Sequence, residues 1–134
     1  MTVKEYLQQI ELFDMFIDSK KKERQDTFLE ATGINSALGK EQTQGGGVSD
    51  RVGRYAIKLA KLDTEIDELN AKREKRIDLI KSLEKPLQVK VLYKRYVEYN
   101  KYSSLSVIAE EIGYAPQYIV DVHGKALRKL RIPK

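Results

Sequence analysis

Cysteine is absent from the 134 residues, which excludes disulfides, thiolate chemistry and cysteine-ligated zinc. Tryptophan is absent as well, and the single histidine, His123, cannot build a metal site alone. No stretch approaches the roughly 18 consecutive apolar residues that a membrane helix needs. The first residues, Met1-Thr2-Val3-Lys4-Glu5-Tyr6, bring acid early and lack the apolar core of a signal peptide. A cytoplasmic protein with no membrane partner is therefore expected. No carboxylate or His/Ser cluster has the spacing of a catalytic site, so the expectation is a protein that is not an enzyme. No catalytic residue, no metal and no cofactor is expected.

What is present is charge, at 34% of residues against a usual quarter, and it is unevenly placed. Residues 1–85 hold 16 Lys/Arg and 16 Asp/Glu, whereas residues 86–134 hold 9 Lys/Arg and 4 Asp/Glu, so the whole +5 excess lies in the last third. A basic segment beside a balanced one is what a polyanion-binding module joined to a structural one would leave. A solvated basic surface leaves the same mark.

Apolar periodicity gives an all-α reading. Val3, Tyr6, Ile10, Phe13 and Ile17 recur at spacings of three and four, predicting a helix over about 2–31 that stops at Gly33. Residues 33–49 have no periodicity and include Gly39 and Gly45-Gly46-Gly47. They lack the Gly-Lys-Ser/Thr of a phosphate-binding loop and read as a flexible connector. A second helix is expected over about 50–85. Val52, Tyr55, Leu59, Leu62, Ile66, Leu69, Ile80 and Leu83 form its heptad seam, and Arg73 and Arg76 interrupt it. Two helices of matched length suggest an antiparallel hairpin; a parallel coiled-coil dimer through the second helix is the alternative. Pro86 blocks continuation, and the boundary between a 1–85 hairpin and an 86–134 module is placed there.

Three shorter helices follow, over about 86–99, 104–112 and 116–131. Ser104 is a good N-cap and Pro116 a favoured first-turn residue. Ala109 puts a small residue where two helices would cross, and Gly113, four residues on, supplies a turn with positive φ. Ile108, Ile112, Ile119 and Val122 grip the crossing. This is helix-turn-helix spacing; an ordinary helical hairpin with a glycine cap has the same elements. Six of the eight tyrosines lie between Tyr93 and Tyr118 and are read as core rather than base-stacking groups. His123, beside Val122, reads as a packing or local hydrogen-bonding residue.

The run Leu92…Arg95-Tyr96, Ser104-Leu105-Ser106-Val107-Ile108-Ala109-Glu110-Glu111-Ile112-Gly113, then Ile119…Val122-His123…Ala126-Leu127…Leu130, resembles region 4 of bacterial sigma factors. With its Glu5-Tyr6-Leu7 helix, Gly-rich connector and charged coiled-coil helix, the whole chain resembles short phage-encoded ArpU- and RinA-like transcriptional regulators. The resemblance implies a sequence-specific binder of double-stranded DNA that regulates transcription of late phage genes. It would act in the host cytoplasm, with host RNA polymerase as a further partner. A terminase small subunit or similar oligomeric packaging adaptor is the alternative.

Ile119, Val122, Ala126 and Leu130 should face inward on the last helix, leaving its opposite face to enter the major groove. Gln117 can pair with adenine, Asp121 can accept from cytosine N4, and Val120 can touch a thymine methyl. Arg128 shares that face. Lys125, Lys129, Arg131 and the Ser104 hydroxyl are candidates for phosphate contacts. Ala115 stands where the family usually has a Ser or Thr cap, and the reading face carries little charge. That favours weak binding assisted by dimerisation or by polymerase. On the first helix, Leu12, Met15 and Phe16 fall opposite the seam, and such a patch suits a homodimer or higher oligomer.

Overall fold

The structure is a computed structural model that describes residues 1–33 and 47–134. The described chain is all α: α1 (Val3–Thr32), α2 (Gly47–Lys81), α3 (Pro86–Leu92), α4 (Leu105–Ile112) and α5 (Pro116–Lys129). A π-helical turn, Tyr93–Val97, continues α3. No described helix is long and apolar enough to cross a membrane. Most of the expected connector, residues 34–46, lies outside the described residues. Its last part is helical instead, since α2 begins at Gly47. At the other end α2 stops at Lys81, four residues short of expectation. Lys85 is extended (φ −86°, ψ 119°), as a residue before proline should be.

The described chain forms two compact units. One comprises Met1–Asp14 with Ala71–Lys134, and the other Met15–Asn70. In the first, α1 opens with a reciprocal cap. The Thr2 N–H donates to Glu5 Oε1 at 2.9 Å and the Glu5 N–H to Thr2 Oγ1 at 3.1 Å, satisfying two donors that helix geometry leaves unpaired. Those bonds favour the ionised carboxylate and hold Glu5 below the usual glutamate range. Tyr6, Leu7 and Ile10 then bury themselves in one core with Ile77 and Ile80 of α2, Leu92, Tyr96, and Ala126 and Leu130 from the α5 end. A second core, Val91, Tyr102, Ile108, Ala109, Ile119 and Val122, lies among the C-terminal helices.

A boundary at Pro86 would therefore cut through the first core. Proline ends a helix by removing a donor and clashing with the preceding turn. Nothing in that chemistry prevents apolar groups on its two sides from packing together.

The two arginines that interrupt the heptad are matched from α1. Arg73 Nε donates to Asp14 Oδ1 at 2.5 Å, and the other Asp14 oxygen accepts from the Tyr99 hydroxyl at 2.8 Å. Arg76 lies over the rings of Tyr6 (4.1 Å) and Phe13 (4.6 Å) and donates to Gln9 Oε1 at 2.6 Å. Burial against those rings lowers its pKa. Pairing of residue 9 with 76 and of 14 with 73 is antiparallel and within one chain.

The second unit has the same sense. Ile17, Leu62 and Ile66 are buried along the seam. Lys20 pairs with Glu65, Arg24 with Asp63, and the Tyr55 hydroxyl donates to Glu30 at 3.4 Å. Exposed pairs of this kind contribute little energy but discriminate between registers. Val52, expected on the seam, is exposed. It lies three residues before Tyr55, whose partner Glu30 is already in the last turn of α1.

Candidate nucleic-acid interface

Ser104 begins α4 in extended conformation (φ −148°, ψ 162°), and its hydroxyl accepts from the Val107 N–H at 3.4 Å. That oxygen is committed to the helix; its O–H can still donate outward. Ala109, 1% exposed, lets α4 approach its neighbours closely, in a core that also contains Ile108, Ile119 and Val122. Ile112 packs on this core from its margin, half-buried. The helix ends at Gly113 with φ 79° and ψ 31°. The N–H groups of Gly113 and Tyr114 both return to the Ala109 carbonyl at 3.0 Å, satisfying the helix end through a left-handed residue.

Ala115 is extended and offers no side-chain cap, and Pro116 opens α5. The first free amides of α5 therefore have no side-chain acceptor, and those are the groups that bind phosphate oxygens at helix starts. Along α5, Ile119, Val122 and Ala126 are buried, and Leu130 is buried just past its end. Gln117, Val120, Asp121, Lys125, Arg128 and Lys129 are exposed, so the expected inward and outward sets separate as the 100° helical rotation requires.

The exposed set has internal order. Gln117 Nε2 donates to Asp121 Oδ1 at 3.3 Å, which orients the glutamine amide across one turn. The Arg128 guanidinium folds back over Gly124 and stands 3.4 Å from where a Cβ would be, an ordinary contact distance. Arg131 donates to the carbonyls of Arg128 (2.9 Å) and Leu130 (3.0 Å) and is partly occupied in closing the helix end. Among the described residues, Lys125, Arg128 and Lys129 pair with no carboxylate. Leu12, Met15 and Phe16 of α1 are each exposed, at 40%, 60% and 43%.

The tyrosines divide. Tyr96 and Tyr102 are buried, as the core reading expects, and Tyr93 and Tyr99 are half-buried. Tyr114 and Tyr118 are instead exposed, with ring centroids 5.3 Å apart at the start of α5. On the helical wheel Tyr118 falls between the two faces, about 40° from Val122 and about 60° from Asp121, so periodicity alone does not place it. Tyr102 is fixed by Lys94, whose ammonium lies 4.1 Å over its ring and donates to its hydroxyl at 3.0 Å.

His123 is joined to the inner face. Its Nε2 lies 2.7 Å from the Tyr96 hydroxyl, with the rings stacked at 5.7 Å. Burial, helped by the positive charges of Lys4 and Arg95, pushes His123 down to about 4. Burial pushes Tyr96 up to about 12. The imidazole is therefore neutral and shares a hydrogen bond with the Tyr96 hydroxyl. A histidine held below its unfolded pKa of about 6.5 stabilises the fold fully above that pH and loses the contribution as pH falls toward 4. With one histidine and no cysteine, the window between about pH 6.5 and 5 reports this group almost alone. Stability should decline there by less than about 1.4 kcal/mol per pH unit, since the ring is partly exposed. Urea titrations at several pH values should show the decline in wild type and its absence in His123→Gln.

Comparison with family models, curated proteins and solved structures gives no match for this chain.

Proposed function

We propose that this protein is a sequence-specific DNA-binding transcriptional regulator that reads duplex DNA with the exposed face of α5. The observation that carries the reading is the division of α5. An apolar face is anchored against α4 across Ala109 and Gly113, while Gln117, Val120 and Asp121 stand exposed on the other side. Gln117 supplies a bidentate donor and acceptor for adenine, Val120 an apolar contact for a thymine methyl, and Asp121 an acceptor for cytosine N4. Lys125, Arg128 and Lys129 meet phosphates, as do the uncapped amides that begin α5. Each good base contact discriminates by about 1–3 kcal/mol. The face is small and carries one acid, so a single copy binds weakly. Two copies joined through Leu12, Met15 and Phe16 would read paired half-sites. Late phage promoters are the proposed targets.

Selection of bound fragments from a random duplex pool, followed by sedimentation of the selected complex, tests both parts. The expected result is a repeated half-site occupied by two copies. A pool that never acquires a shared sequence removes the specificity, and an unrepeated site bound by one copy removes the pairing through α1.

A further inference from the structure

Charge is segregated along α2. Residues 51–61 contain Arg51, Arg54, Lys58 and Lys61 and no acid, whereas residues 62–69 contain Asp63, Glu65, Asp67 and Glu68 and no base. The acidic half is used within its own unit, where Glu65 and Asp63 pair with Lys20 and Arg24. The basic half is not, because none of its four cations has a carboxylate partner among the described residues. Spacings of three and four bring the four onto one side of the helix, within about 80° at 100° per residue. Arg54, Lys58 and Lys61 are exposed.

The row is also positioned. The Tyr55 hydroxyl donates to Glu30 of α1, which fixes the ring, and the Arg51 guanidinium rests 5.6 Å over that ring. Arg51, Arg54, Tyr55 and Lys58 together line one shallow depression. Like charges three and four residues apart weaken a helix. A row of four therefore costs stability that a mixed surface would have avoided.

We infer that this row is a second phosphate-backbone contact, which grips duplex DNA without reading its sequence. At 1.5 Å per residue the row extends about 15 Å, a length over which duplex DNA presents about nine phosphate charges. A membrane surface is the poorer match. The apolar face of this part of α2, through Leu62 and its neighbours, is occupied by α1, and among the described residues of this stretch Val52 and Ile57 are the exposed large apolar side chains, too few to insert into a bilayer. The inference goes beyond the reading by α5, since it concerns affinity and not specificity.

The test compares wild type, the Arg54→Ala, Lys58→Ala, Lys61→Ala triple variant and Lys125→Ala, all as the full chain, on two unrelated duplexes across a salt series. Alanine favours the helix, so circular dichroism should be unchanged. The inference predicts that the triple variant binds both duplexes more weakly by the same factor, with the salt slope reduced by about 2–3 units. An unchanged slope in the triple variant, with a reduced slope in Lys125→Ala, overturns this inference and leaves the α5 reading standing. A reduced slope in the triple variant alone upholds it and counts against α5. Binding of wild type to phosphatidylserine vesicles, lost in the triple variant while its duplex slope stays unchanged, would assign the row to a membrane and overturn the inference.

Discussion

A fragment spanning residues 86–134 should fail to hold a fixed tertiary structure, although it contains α3, α4 and α5 complete. Its inner core of Val91, Tyr102, Ile108, Ala109, Ile119 and Val122 is intact. Leu92, Tyr96, Ala126 and Leu130, however, are buried in the native chain against Tyr6, Leu7, Ile10, Ile77 and Ile80. Cutting at Pro86 exposes all four to water. A domain of about fifty residues has only a few kcal/mol to lose, and deleting a single buried leucine side chain costs about 2–5 kcal/mol. The expected outcome is helical circular dichroism with poorly dispersed amide resonances and no cooperative melt. In the intact chain, Leu7→Ala should destabilise by about 2–5 kcal/mol, because Leu7 is fully buried. The loss of hydrogen-exchange protection should appear in α5, more than a hundred residues along the chain. A fragment that melts cooperatively with sharp, dispersed resonances would show that the first core is dispensable.

The second large effect is expected at Gly113. Its φ of 79° is left-handed, and nothing lies within 4 Å of the place a Cβ would occupy, so any penalty there is conformational and not steric. Left-handed backbone costs ordinary L residues about 1–2 kcal/mol and is worse for β-branched ones, while Asn tolerates it. Gly113→Val should therefore lose at least about 2 kcal/mol and misalign α4 with α5, and Gly113→Asn should lose well under half of that. Thermal melts of the two variants separate the causes. Equal destabilisation by Asn and Val would point to crowding, against the open space observed.

Several elements were legible because they rest on local chemistry. The inward set of α5 follows from periodicity alone, and the turn at Gly113 follows from glycine's freedom at positive φ. Periodicity names a buried face but not the partner that buries it. The stripe through Tyr6 and Ile10 reads the same whether α2 or the C-terminal helices cover it. Leu7, beside that stripe, widens it enough to hint at two neighbours. The Thr2–Glu5 cap was written in the sequence as Thr-x-x-Glu. The π turn over Tyr93–Val97 has no compositional signature, since it depends on how the end of α3 meets its surroundings. Among the site residues, exposure of Gln117, Val120 and Asp121 follows from the helical wheel. The bond between Gln117 and Asp121 and the folding of Arg128 over Gly124 needed side-chain geometry.

The central claim, that α5 reads bases, is tested most directly by measuring how Gln117→Ala and Lys125→Ala change affinity across every single-base variant of the selected site. Gln117 is exposed and makes no core contact, so its replacement should leave the fold intact. The account predicts that Gln117→Ala relaxes preference at one base pair by about 1–3 kcal/mol and leaves the other positions discriminated as before. Lys125→Ala should weaken every sequence alike and lower the salt slope by about one unit. Uniform loss from Gln117→Ala, with no position relaxed, would take that residue off the reading face. Unchanged affinity and specificity in both variants would contradict the assignment of α5 altogether.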